Sequence, residues 1–148
     1  VTALTLQELF RETSALGVRN EGAILKTSMV ISGKNAAQQA TPEEVAEATI
    51  RCLNENVPHN LAGIVFLSGG QSDERATANL NAINKREDRK WRMTFSYARA
   101  IQNPVLALWA QKKDAEARKA YLFRARSNSL ASEGKYDPAS EASRPYSL

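Results

Sequence analysis

The 148-residue sequence holds one cysteine and one histidine. A single cysteine excludes an internal disulfide framework and any zinc cluster built on several thiolates. A single histidine excludes His-rich metal centres and most triads that turn on an imidazole. No uninterrupted apolar run approaches the ~18 residues of a membrane-spanning helix. No basic segment followed by a short apolar one marks a signal peptide. These absences point to a cytoplasmic, metal-independent protein or a piece of one. The chain starts at Val1 without a methionine, so its beginning is expected to lie elsewhere.

Hydrophobic residues make up 43% and charged residues 24%, a balance that suits a folded globular chain and excludes an intrinsically disordered one. The net charge of +4 is unevenly spread. Residues 1–84 carry 6 basic and 9 acidic side chains, a net −3, whereas residues 85–148 carry 14 and 7, a net +7. A basic half suits an anionic partner: a phosphorylated metabolite, an acidic protein or a nucleic acid. It also suits helix faces that are simply solvated.

Thr5 and Glu8 have the spacing of a capping box, and Leu6, Leu9, Phe10 and Leu16 mark an apolar stripe that predicts a helix over 5–16. Residues 23–31 are almost wholly apolar and predict a strand buried on both faces, with Lys26 in its middle. Thr41-Pro42-Glu43-Glu44 supplies an N-cap, a first-turn proline and two acids, opening a helix that should reach about Asn56, before Pro58. Residues 63–67 and 93–97 read as further buried strands. Asp73 opens the helix between them. A helix from Ala98 to about Gln111 contains Pro104, which should bend or shorten it. A long helix follows from Asp114 towards Leu130, and the polar stretch from Ser132 reads as a mobile tail. Alternating helices and strands imply a parallel sheet with right-handed crossovers. Three doubly buried strands cannot close a barrel, and as an open sheet they would leave two unpaired edges, so a partial domain is expected.

Lys26 is the first candidate for chemistry. A lysine desolvated in a buried strand becomes a nucleophilic amine, the species that forms a Schiff base with a ketone or aldehyde. The alternative is a strand-end lysine that reaches solvent or pairs with Glu21. Ser68-Gly69-Gly70-Gln71-Ser72 stands where a strand gives way to a helix. There glycines permit close backbone approach, and the helix N-terminus favours an anion. An ordinary tight turn would look the same. Ser96-Tyr97-Ala98-Arg99 repeats the arrangement and adds a guanidinium fork. Two successive anion-friendly strand-to-helix loops match the phosphate site that often follows the last two strands of a (β/α)8 barrel.

Together these residues resemble class-I, Schiff-base-forming fructose-bisphosphate aldolases. The resemblance is carried by Glu21-Gly22-Ala23-Ile24-Leu25-Lys26, Phe66-Leu67-Ser68-Gly69-Gly70-Gln71-Ser72, Asn79-Leu80-Asn81-Ala82-Ile83-Asn84 and Thr94-Phe95-Ser96-Tyr97-Ala98-Arg99. Asn128-Ser129-Leu130-Ala131 and Gly134-Lys135-Tyr136 extend it towards the end of the chain. The resemblance implies an α/β fold: the C-terminal part, about three β/α units, of a (β/α)8 TIM barrel over residues 1–131. A flexible C-terminal tail over 132–148 would follow. It implies that Lys26 forms the Schiff base, and that Ser68, Gly69, Gly70, Ser96, Ala98 and Arg99 hold a substrate phosphate. It further implies reversible cleavage of fructose 1,6-bisphosphate to dihydroxyacetone phosphate and glyceraldehyde 3-phosphate in glycolysis, by a cytoplasmic homotetramer needing no metal or other cofactor. Membrane and nucleic-acid partners are not expected.

Three features depart from the family pattern. Ala98 stands where a glycine is usual, Thr27-Ser28 replaces a frequent Pro-Asn, and Tyr146 lies short of the end rather than at it. The family's acid/base residues would sit on strands before Val1. The competing reading is a non-catalytic basic fragment that binds acidic protein or nucleic acid. His59 is expected in an exposed loop, Cys52 on the apolar side of its helix, and Trp91 in packing rather than in stacking on a ligand.

Overall fold

In the computed structural model, residues 1–147 are described; Leu148, the last residue of the expected tail, lies outside them. The chain runs α1 (Thr2–Ala15), β1 (Ile24–Thr27), α2 (Pro42–Asn56), β2 (Gly63–Phe66), α3 (Asp73–Lys85), β3 (Met93–Phe95), α4 (Arg99–Ala110) and α5 (Asp114–Ser132). Short 3-10 segments occupy Asn20–Gly22 and Pro138–Ser143. The three strands form one parallel sheet in the order β1-β2-β3. Two helix crossovers therefore join neighbouring strands.

Register divides the sheet into two faces. Leu25, Ile64 and Met93 align across the strands and are buried with Val45, Ile50 and Leu53 of α2 and Leu80 and Ile83 of α3. Burying each of these large aliphatic side chains stabilises the fold by roughly 1.5–3 kcal/mol. The next row, Lys26, Val65 and Thr94, lies on the other face, which no helix among the described residues covers. The doubly buried strands expected from composition are thus corrected. β1 alternates, with Ile24 and Lys26 exposed on either side of buried Leu25.

The elements follow local chemistry with instructive exceptions. Thr41 forms a full capping box with Glu44, and Pro42 sits in the first turn, a start that contributes about 1 kcal/mol. At α1 the capping box expected of Thr5 does not form; the Thr5 hydroxyl donates back to the Val1 carbonyl, and the helix starts three residues earlier. β1 stops at Thr27, short of the expected strand over 23–31, and beyond it the Val30 N–H donates to Thr49 Oγ1 of α2 (2.9 Å). Pro104 does not shorten α4, which continues to Ala110 with the proline buried.

Where sequence suggested a flexible tail from Ser132, the described residues are anchored at several places. Asn81 of α3 donates to the Tyr136 carbonyl (3.1 Å) and accepts from its N–H (3.0 Å). Arg124, fully buried on α5, pairs with Glu141, which also accepts from the Tyr136 hydroxyl (2.5 Å). Tyr146 packs edge-on against Phe123. Long-range polar pairs of this kind leave no local pattern in a sequence.

Candidate active site

The C-terminal ends of the three strands gather the residues singled out for chemistry. In parallel α/β sheets this is the end where strands give way to loops and where ligands bind. Lys26 is one residue from the end of β1, and its Nζ donates to Ser96 Oγ beyond β3 (3.1 Å). Its register partner on β2 is Val65, so the contact with Ser96 spans the width of the sheet. Lys26 is exposed on the open face, not buried as expected, and its partner is Ser96. Glu21, the alternative partner, instead accepts from Asn60 Nδ2 (2.7 Å).

The loop after β2 needs its glycines. Gly69 and Gly70 have φ of +62° and +82°, the left-handed region that side chains with a Cβ disfavour. Two consecutive residues in this conformation turn the chain sharply between buried Ser68 and Ser72, which caps α3 by accepting from the Arg75 N–H (3.3 Å). Among the described residues, the backbone N–H groups of Gly69 and Gly70 have no partner.

The loop after β3 is built differently. Ser96 N–H donates to the Phe66 carbonyl (2.8 Å), which continues the ladder and fixes where the loop departs. Buried Tyr97 donates its hydroxyl to the Ala76 carbonyl of α3 (2.9 Å), and burial pushes its phenol pKa up. Ala98, the departure from glycine, has φ −99° and ψ −74°, a conformation open to alanine. Arg99 opens α4 and leans towards the neighbouring loop: its terminal nitrogens lie 3.9 Å from where a Cβ on Gly70 would stand. The structure thus brings Lys26 to Ser96, and Arg99 to Gly70, at the C-terminal end of the sheet.

The family model for glycolytic class-I fructose-bisphosphate aldolase matches residues 1–147. The chain belongs to the class-I fructose-bisphosphate aldolase family. A probable class 1 aldolase of Xanthomonas axonopodis is 48% identical over 139 residues, covering 92% of this chain and 42% of the relative. The fructose-bisphosphate aldolase of Dictyostelium discoideum is 45% identical, covering 92% and 39% respectively. A solved structure of Plasmodium falciparum aldolase, in complex with TRAP and a small-molecule inhibitor, superposes with a TM-score of 0.86. That match is 44% identical and covers 92% of this chain and 40% of the other. The chain therefore spans about two-fifths of the length of these aldolases, and its three parallel strands match part of an aldolase barrel.

The remaining sequence candidates fall outside the site. His59 is exposed and stacks on Trp91, which is buried and donates to the Pro58 carbonyl (3.3 Å). Cys52 is part-buried against the core. Gln71 and Asn79 carry no role legible in the sequence, although they stand in the Ser68–Ser72 and Asn79–Asn84 motifs. Their signal was a pair of amides in segments otherwise explained by turn and helix chemistry.

Proposed function

We propose that this chain supplies the Schiff-base and phosphate-binding part of a class-I fructose-bisphosphate aldolase, acting within a complete barrel. The observation that carries this reading is the 3.1 Å contact between Lys26 Nζ and Ser96 Oγ, beside two loops suited to an anion. Residues 1–131 form the barrel part and 132–148 the tail segment. The enzyme would work in the cytoplasm as a homotetramer, in glycolysis.

In the proposed reaction, the neutral Lys26 amine attacks the ketone carbon of fructose 1,6-bisphosphate, and loss of water gives an imine. Its protonated form draws in the electron pair of the breaking carbon–carbon bond, giving an enamine of dihydroxyacetone phosphate and freeing glyceraldehyde 3-phosphate. A base outside this chain takes the hydroxyl proton of the departing aldehyde. Reprotonation of the enamine and hydrolysis return the lysine. Ser68, Gly69, Gly70, Ser96, Ala98 and Arg99 hold the phosphate next to the ketone through hydroxyl, backbone N–H and guanidinium donors.

Replacing Lys26 by methionine tests this reading. In the complete barrel, Lys26→Met is expected to abolish cleavage of fructose 1,6-bisphosphate while far-UV circular dichroism is preserved. A folded variant that keeps turnover within tenfold would contradict it.

A further inference from the structure

We propose that Gln71 and Asn79 are positioning residues that aim the Gly69 N–H at the substrate phosphate; this rests on the phosphate-binding reading above. The Ser68 carbonyl accepts twice, from the Gln71 backbone N–H (3.1 Å) and from Gln71 Nε2 (2.9 Å). Both lone pairs of that oxygen are then used. The Ser68–Gly69 peptide is trans and planar, so its N–H points opposite to its C=O. Fixing the carbonyl fixes the direction of the Gly69 N–H. The lock matters because two consecutive glycines otherwise give this turn wide conformational freedom.

Gln71 is itself held in one orientation. Its Oε1 accepts from Asn79 Nδ2 of α3 (2.6 Å), and its Nε2 lies 3.8 Å from the sulfur of buried Met29, beyond β1. Turning the amide over would set Nε2 against the Asn79 donor and Oε1 against the Ser68 carbonyl. Asn79 is fully buried, and its Oδ1 has no partner among the described residues. An unmatched buried acceptor destabilises the fold, and an apolar residue of similar size would avoid it. What asparagine supplies there is the N–H towards Gln71. A relay thus runs from α3 through Gln71 to the Gly69 N–H, without touching substrate until its last atom.

Asn79→Leu separates this role from a structural one, since it removes the donor, fills the space and eliminates the orphaned oxygen. In the complete barrel it should melt no lower than wild type. The KM for fructose 1,6-bisphosphate, and the inhibition constant of inorganic phosphate as a competitive inhibitor, should both rise about tenfold, the scale of one misaimed charge-assisted hydrogen bond. The rise in KM should exceed any fall in kcat. Gln71→Met, on a part-exposed loop, should raise both constants in the same way, with a lower melting temperature because it leaves the buried Asn79 Nδ2 unpaired, and decides the matter if Asn79→Leu does not fold. Arg99→Ala is measured alongside. If Arg99→Ala weakens inorganic phosphate while neither amide variant does, the positioning role is overturned and the phosphate site stands. If Arg99→Ala also leaves phosphate inhibition unchanged, the phosphate site is overturned and the positioning role with it.

Discussion

The loops that follow β2 and β3 serve one candidate site by different physical means. After β2 the backbone does the work: Gly69 and Gly70 take positive φ, Gln71 bonds twice to Ser68, and the free donors are main-chain N–H groups. After β3 the side chains do it. Tyr97 is tied to α3, Ala98 takes a negative φ, and the exposed Arg99 guanidinium is the charged group. A backbone cradle is shaped in advance and tolerates little substitution, whereas a charged arm adds affinity and range with less demand on its backbone. The contrast explains why alanine is compatible with position 98, where the family usually has glycine, while positions 69 and 70 need glycine.

Of the two loops, the charged arm should show the larger effect. Arg99→Ala in the complete barrel should weaken a phosphorylated ketose far more than its unphosphorylated analogue, by roughly tenfold to a hundredfold, or about 1.5–3 kcal/mol. Steady-state kcat/KM on the two substrates measures it, and equal losses would contradict the assignment. Arg99→Lys should restore only part of the loss, because an ammonium cannot reproduce the fork.

A smaller and sharper test exchanges the two backbones. Gly70→Ala places a Cβ at φ +82° and should cost about 1–2 kcal/mol of strain, read as a lower melting temperature and a raised KM. Ala98→Gly removes a Cβ where φ is −99° and should cost only about 0.5–1 kcal/mol, through chain entropy. If Ala98→Gly is as damaging as Gly70→Ala, the division between cradle and arm is wrong.

What could be read in the sequence was whatever local chemistry decides. Thr41-Pro42-Glu43-Glu44 specifies a helix start through cap, proline and charge, and α2 begins there. The glycines at 69 and 70 announce a turn that only glycine makes comfortably. Lys26 and Ser96 were each legible as candidates, but their contact joins residues 70 apart in sequence and needs the sheet register to bring them together. The open face was illegible because Ile24 and Val65 are apolar whether helices cover them or not. The tail anchors were illegible for a related reason: Asn81 and Arg124 resemble ordinary polar helix residues until Tyr136 and Glu141 fold back on them. Asn79 and Gln71 belong with these, since an amide pair eight residues apart acquires meaning only from the Ser68 carbonyl that Gln71 bonds on its far side.

Reductive trapping tests directly whether Lys26 forms the covalent bond to substrate. The complete barrel is incubated with dihydroxyacetone phosphate, the imine is reduced with borohydride, and tryptic peptides are analysed by mass spectrometry. Irreversible inactivation and one adduct, on Lys26, are expected; an adduct on Lys34 instead, or none at all, would overturn the assignment.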